Sequence, residues 1–174
     1  MRKIPAVITG AAVAMILTAS PASAAQDQPG HHRPGPGHTY VLKDQDGHRA
    51  RVTLLHIYDP GTLRDSGGNK DYPPAGKKWV VAAFRIREGK GRISEDIYSD
   101  FSVIGKNHQT YDAYITGDST YNGYTDFNNG LINLRRKGAF LVGAAPVLMP
   151  ARVGVGNVVW SMSGGFGQSG SWRG

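Results

Sequence analysis

The stretch from Lys77 to Arg87 constrains the fold more than any other part of the chain. Side chains alternate between the two sides of a strand. The sequence KKWVVAAFRIR therefore places Val80, Ala82, Phe84 and Ile86 on one side and Trp79, Val81, Ala83 and Arg85 on the other. We interpret this stretch as the central strand of a sheet. A Pro-Pro-Ala-Gly turn precedes it and the run EGKGR at 88–92 follows it, and both are typical of chain that leaves a sheet.

The rest of the chain predicts further strands, and no segment has convincing helical periodicity. The predicted strands start near Thr39, continue over Arg49–Tyr58, form a hairpin from Phe101 to Tyr111 with a turn at 105–107, and close with Leu131–Leu134, Phe140–Met149 and Val153–Met162. Pro146 lacks an amide donor, so its strand is expected at a sheet edge or with a bulge. The pattern predicts an all-β antiparallel β-sandwich of about seven to eight strands.

Two segments outside these strands also carry expectations. Residues 61–76 are rich in Gly, Pro and Asp and predict a long loop, whose length is typical of a binding loop. The tail from Gly164 to Gly174 contains Phe166 and Trp172 among small residues. We expect both rings to fold back on the core.

The first 24 residues have the pattern of a secretory signal peptide. Arg2 and Lys3 precede an apolar run over residues 6–17, and small residues lead to a cleavage site that we place after Ala24. The run is too short to span a hydrocarbon core of about 30 Å. Residues 25–38 are rich in Pro, Gly and His and predict a disordered linker. Residues 39–174 then form one domain.

Composition bears on location. The chain contains no cysteine, which excludes a disulfide framework and a lipid-attachment cysteine. We therefore predict a protein that is secreted, either extracellular or loosely associated with the cell wall, with no membrane span after signal cleavage.

The charge balance is basic. The chain has 20 basic and 13 acidic side chains, and cleavage would remove Arg2 and Lys3, which leaves a net charge of +5. Such a surface attracts acidic partners weakly, although charge of this size more often serves solubility. No nucleic-acid recognition pattern accompanies the basic residues. The expected partner is an unknown protein or an anionic cell-wall polymer, without specific nucleic-acid binding, and the expected state is a monomer.

An aromatic segment is the main candidate for a binding surface. It contains Tyr111, Tyr114, Tyr121, Tyr124 and Phe127 within polar and Gly-containing sequence. Aromatic rings in loops stack on sugars or on a partner protein with a low entropy cost. The alternative is that these rings pack over the end of the sandwich.

Histidines in the linker offer a candidate metal site. His31, His32 and His38 could chelate a divalent transition metal, although a site on a flexible tail would be weak. Within the domain, the run KDQDG at 43–47 has the start of a calcium loop but lacks the later glutamate, so a tight turn is the better interpretation. We expect no cofactor.

No catalytic constellation is recognisable, and we do not expect an enzyme. The chain has no nucleophile elbow, no cysteine nucleophile and no H-E-x-x-H pair. The alternative is a small extracellular glycan hydrolase that uses paired carboxylates. Candidate pairs lie among Glu95, Asp96 and Asp100 and between Asp112 and Asp118.

Several motifs together resemble a known family. They are VTL at 52–54 leading to YDP at 58–60, GKKWVV at 76–81, Asp100-Phe101 with Val103, and Gly143 seven residues before Pro150. They resemble a domain-of-unknown-function family of secreted actinobacterial proteins and lipoproteins, related to the mycobacterial immunoprotective extracellular antigen. The resemblance spans roughly residues 40–172 and implies an immunoglobulin-like β-sandwich, while the family offers no catalytic residues.

These observations favour a secreted, non-enzymatic binding or interaction module of the bacterial cell envelope or extracellular space. The glycan hydrolase and a weak metal-binding protein with a His-rich tail are the two alternatives. Each makes a different demand on the structure: exposed aromatic or charged surface for binding, converging carboxylates for hydrolysis, and ordered histidines for metal.

Overall fold

The computed structural model describes residues 33–65, 67–90, 93–96, 101–114, 119–121, 124–125, 131–134, 136 and 138–174. The predicted signal peptide and most of the predicted linker lie outside these residues. The strands of the described part are, in chain order, β1 (Thr39–Lys43), β2 (Arg49–Tyr58), β3 (Leu63–Asp65), β4 (Lys70–Asp71), β5 (Lys77–Lys90), β6 (Ile93–Asp96), β7 (Phe101–Gly105), β8 (Thr110–Asp112), β9 (Ser119–Tyr121), β10 (Tyr124–Thr125), β11 (Leu131–Leu134), β12 (Phe140–Pro150), β13 (Val155–Ser161) and β14 (Ser169–Arg173).

Two four-stranded antiparallel sheets form the main body. The first sheet has the order β1-β2-β5-β12, and the second has the order β14-β13-β7-β8. Strand β5 lies between β2 and β12, which confirms the prediction that it is central, and β12 lies at the edge, as Pro146 predicted. The predicted all-β antiparallel sandwich is confirmed. No helix in the described residues is long and apolar enough to cross a bilayer.

The core fills the space between the two sheets. From the first sheet Val52, Leu54 and Phe84 point inward, and the Phe84 ring makes edge contacts with Phe101, Trp160 and Trp172 of the second sheet. Phe84, Trp160 and Trp172 are fully buried. Such aromatic pairs add about 0.5–1.5 kcal/mol each beyond the area they bury. The two sheets are thus held by a cluster of rings.

Both lateral sides of the sandwich are closed by hydrogen bonds between the sheets. On one side the hydroxyl of Tyr40 donates to the carbonyl of Ser171 at 2.9 Å, and Nε1 of Trp172 donates to the carbonyl of His38 at 2.8 Å. On the other side Ala113 bridges Val147 of β12, just after β8 ends. Residues 33–38, assigned above to the linker, therefore include chain that contacts the domain.

Three local expectations are wrong. Glu88, Gly89 and Lys90 continue β5 instead of leaving the sheet. Residues 61–76 include a short hairpin of β3 and β4 rather than a featureless loop. Phe166 is 83% exposed, while Trp172 is buried as expected.

The outer face of the first sheet has two different halves. At one end Trp79, Val81 and Ala83 are buried in a second apolar cluster together with Leu63 of β3, so the small β3–β4 hairpin covers them. At the other end the same face of β5 continues as Arg85 and Arg87, which are exposed. The uncovered half is therefore basic.

Candidate functional site

Two rows of side chains cross the uncovered half of the first sheet. Strand register places Val41, Arg51, Arg87 and Phe140 in one row, on β1, β2, β5 and β12 in that order. The adjacent row contains Thr39, Thr53 and Arg85. We call these seven residues the arginine face.

The arginine face lines an open depression of about 630 Å³. Among the described residues, its lining contains three guanidinium groups, two hydroxyl side chains and two apolar side chains, but no carboxylate. Among the residues that the structure describes, none of the three guanidinium groups has an ion-pairing carboxylate. The buried Glu88 belongs to the inner side of β5, where its carboxylate accepts a hydrogen bond from the Gly138 amide at 2.8 Å. Within the described part of the chain, the positive charge of the face is therefore not balanced by a carboxylate.

Arg51 and Arg87 are direct cross-strand partners. Like charges directly opposite each other destabilise a sheet, by an amount comparable to the roughly 0.2–1 kcal/mol of a favourable pair. A second pair of like charges lies between β1 and β2, where Lys43 is opposite Arg49 and both are exposed. A basic surface thus continues beyond the depression. An anionic ligand would relieve the repulsion at both pairs.

The apolar members of the arginine face are also accessible. Val41 is 53% exposed and Phe140 is 60% exposed, and they lie at the two ends of the row that contains Arg51 and Arg87. In the other row the hydroxyl oxygens of Thr39 and Thr53 are 2.7 Å apart. The face thus combines charge-assisted donors, hydroxyl groups and apolar contact surface.

A second group of polar residues lies in the β1–β2 turn. The Asp44 carboxylate accepts hydrogen bonds from the amides of Asp46 at 2.9 Å and His48 at 2.7 Å, and its other oxygen is 2.7 Å from Nδ1 of His48. The potential ligand atoms of these three residues lie within 4.8 Å of one another. Gly47 adopts φ 82°, which a glycine allows without strain. These bonds form the predicted tight turn, so the local geometry explains the group.

The β3–β4 turn contains the clearest perturbed acid of the described chain. The side chain and backbone amide of Asn69 both donate to Asp65, at 2.7 Å each. These hydrogen bonds lower the pKa of Asp65 below its ordinary value because they favour the charged carboxylate. The side chain is half-buried and serves the turn.

The aromatic candidates do not form one described surface. Tyr111 is half-buried in the β7–β8 hairpin, where its hydroxyl accepts from Asn107 at 2.9 Å and donates to Gln109 at 3.1 Å. Tyr114 is 44% exposed, and its ring lies 5.1 Å from that of Trp79. The backbones of Tyr121 and Tyr124 are paired between β9 and β10, and Phe127 lies outside the described residues. The aromatic surface stays a prediction.

The histidine and carboxylate candidates are placed only in part. His38 is exposed, with its ring 4.8 Å from Tyr40, while His31 and His32 lie outside the described residues. Among the acids, Asp112 is exposed on β8. Glu95 and Asp96 are described only as backbone of β6, and Asp100 and Asp118 lie outside the described residues.

Comparison with known proteins does not assign a function. No protein-family model matches the chain, and no curated protein sequence matches it. Among solved structures, the yjhA protein from Bacillus subtilis is similar over 74% of this chain and 81% of its own length, with 13% sequence identity and a TM-score of 0.46. A likeness at this level carries no argument about ligand or activity.

Arg51, Arg85 and Arg87 were not among the candidate site residues predicted from the sequence. Arg51 alternates with buried Ala50 and Val52, and Arg85 and Arg87 flank buried Ile86. That alternation is visible in the sequence and predicts outward-pointing arginines on two strands. The register that places Arg51 opposite Arg87 is what brings them together.

Proposed function

We propose that this protein is a secreted, non-enzymatic binding module that holds an anionic polymer of the bacterial cell envelope on its arginine face. One observation carries the proposal: Arg51 and Arg87 face each other across two strands, beside Arg85, in a depression whose described lining contains no carboxylate. Guanidinium groups stay charged at any physiological pH and bind phosphate or carboxylate groups bidentately. The predicted signal peptide and the resemblance to exported domains support the extracellular location.

The chemistry of the lining supports binding rather than turnover. Proton transfer near neutral pH is most effective from a group whose pKa lies close to that pH. The arginine face offers three guanidinium groups and the hydroxyls of Thr39 and Thr53, which bind and orient an anion. The two apolar side chains add contact area for the uncharged part of the ligand.

Retention on purified cell walls tests this proposal. The chain without its signal peptide is compared with Arg51→Gln/Arg87→Gln and with the matched control Lys106→Gln/Arg152→Gln. The control removes the same charge from exposed positions outside the arginine face. We expect the first variant to lose retention by about tenfold or more, since hydrogen bonds to charged groups contribute about 1.5–3 kcal/mol each.

The outcome separates specific from general electrostatic binding. Equal loss in both variants would show that net charge alone retains the protein and would overturn the proposal. Tyr121→Ala/Tyr124→Ala forms a third arm, which tests the predicted aromatic surface. If only this arm loses retention, the tyrosines and not the arginines bind the wall.

A further inference from the structure

The spacing of charges on the arginine face limits which anions fit it. Arg85 and Arg87 lie on the same side of β5 two residues apart, which corresponds to about 6.6–6.8 Å along a strand. Arg51 lies opposite Arg87 on the neighbouring strand, at a Cα separation of about 4.5–5.5 Å. The three Cα atoms therefore mark a corner rather than a straight line. A flexible ligand with closely spaced charges can follow this corner and contact all three guanidinium groups.

Resting on the proposed function, we infer that the ligand is a phosphodiester polymer with short polyol spacers, the chemistry of teichoic acids. Such a chain carries one negative charge per repeat in its backbone and has freely rotating single bonds between charges. Each phosphodiester offers two non-bridging oxygens, which match the fork of one guanidinium group. Chains of uronic acid rings are stiffer than such a polymer and therefore follow the corner less readily.

The neutral members of the face fit the spacers. Val41 and Phe140 lie at the two ends of the row that holds Arg51 and Arg87, and both are more than half exposed. They offer apolar surface to polyol carbon atoms, while the hydroxyls of Thr39 and Thr53 offer hydrogen bonds to polyol oxygens. The face thus places uncharged contacts at both ends of the row that holds Arg51 and Arg87, so it offers partners to the charged and to the uncharged parts of the polymer.

The shape and lining of the face favour this polymer over two other anionic ligands, a bilayer surface and single-stranded nucleic acid. A depression of about 630 Å³ accommodates a few repeat units of a chain, whereas a bilayer is flat on this scale. Single-stranded nucleic acid is held by several aromatic rings on which successive bases stack. Among the described lining residues of the depression, Phe140 alone supplies such a ring.

Calorimetry with defined polyanions tests the inference. The chain without its signal peptide is titrated with poly(glycerol phosphate), poly-γ-glutamate and oligothymidylate of matched charge number, and with phosphatidylglycerol vesicles. We expect poly(glycerol phosphate) to bind about tenfold tighter than poly-γ-glutamate, the effect of one additional charge-assisted hydrogen bond. Arg85→Gln is expected to weaken binding of this polymer by a similar factor, and Arg152→Gln is expected to leave it unchanged.

Each outcome bears on one of the two proposals. Equal affinity for all polyanions, or no binding of poly(glycerol phosphate), overturns the phosphodiester inference. Tightest binding of oligothymidylate or of the vesicles replaces it with nucleic acid or membrane. If acid-extracted walls that lack phosphodiester polymers still retain the protein through Arg51 and Arg87, the binding function stands and the inference falls. If retention on untreated walls does not depend on Arg51 and Arg87, the function itself is overturned.

Discussion

Substitution of Arg51 should make the fold more stable while it weakens binding. Arg51 lies directly opposite Arg87, and both side chains are exposed, so neither supports the core. Two unit charges about 6 Å apart repel by roughly 0.7 kcal/mol in a dielectric like that of water. Measured cross-strand pairs span about 0.2–1 kcal/mol. We therefore expect Arg51→Gln to raise the free energy of unfolding by about 0.5 kcal/mol.

Reversal of the charge should have a larger effect. Arg51→Glu replaces the repulsion with an attraction of similar size, so the expected gain is about 1 kcal/mol, or roughly 2–6 °C in Tm. Urea unfolding followed by tryptophan fluorescence measures this, because Trp79, Trp160 and Trp172 are buried. The gain should nearly vanish at 1 M salt, where the screening length falls to about 3 Å.

Two results would refute this reasoning. The first is a loss of stability in Arg51→Gln at low salt, which would mean that Arg51 makes a favourable contact in the free protein. The second is a gain that does not depend on salt, which would point to strand propensity instead of charge. Arg152→Gln, an exposed position away from the arginine face, is the control.

The remaining predictions concern the core and two turns. Phe84→Ala should cost about 3–5 kcal/mol in unfolding free energy, whereas Phe166→Ala should stay within about ±0.5 kcal/mol, both by urea titration. Gly105→Ala should destabilise the β7–β8 hairpin by about 1–3 kcal/mol, since an added Cβ would approach Val153 Cγ1 to 2.7 Å; an unchanged urea midpoint would contradict this. Because the pKa of Asp65 is lowered in the folded state, its stabilisation is present above the unfolded pKa and lost as pH falls. Asp65→Ala should therefore have a lower Tm than the native chain at pH 7, and the difference should shrink below about pH 4.

Alternation and turn chemistry made much of the sandwich predictable. Lys77–Arg87 has apolar residues on both sides, and it forms a central strand that is covered on both sides over its first half. Pro146 lies on an edge strand, and Gly47 adopts the positive φ that its turn requires. These features depend on local sequence, which is why a single chain reveals them.

The wrong expectations have nonlocal causes. Gly89 does not end β5 but forms a bulge within it. The backbone there lies so close to the Arg49 carbonyl that an added Cβ would be 3.0 Å from it. Phe166 follows a turn in which Ser163 has φ 55°, so its ring lies outside the alternation that buries Trp172. The site was missed for the same reason, since the approach of Arg51 to Arg87 depends on pairing between distant strands.

The hydrogen bonds that join the start of the domain to β14 also affect how the chain folds. They connect residues 131 and 134 positions apart in sequence, through Tyr40 with Ser171 and His38 with Trp172. Contacts of such separation slow folding, because the entropy lost on closing the long stretch of chain between them opposes their formation. The contacts between the two ends of the domain therefore form late, after β1 has paired with its sequence neighbour β2. We expect a folding time of milliseconds to seconds, typical of sandwiches with high contact order.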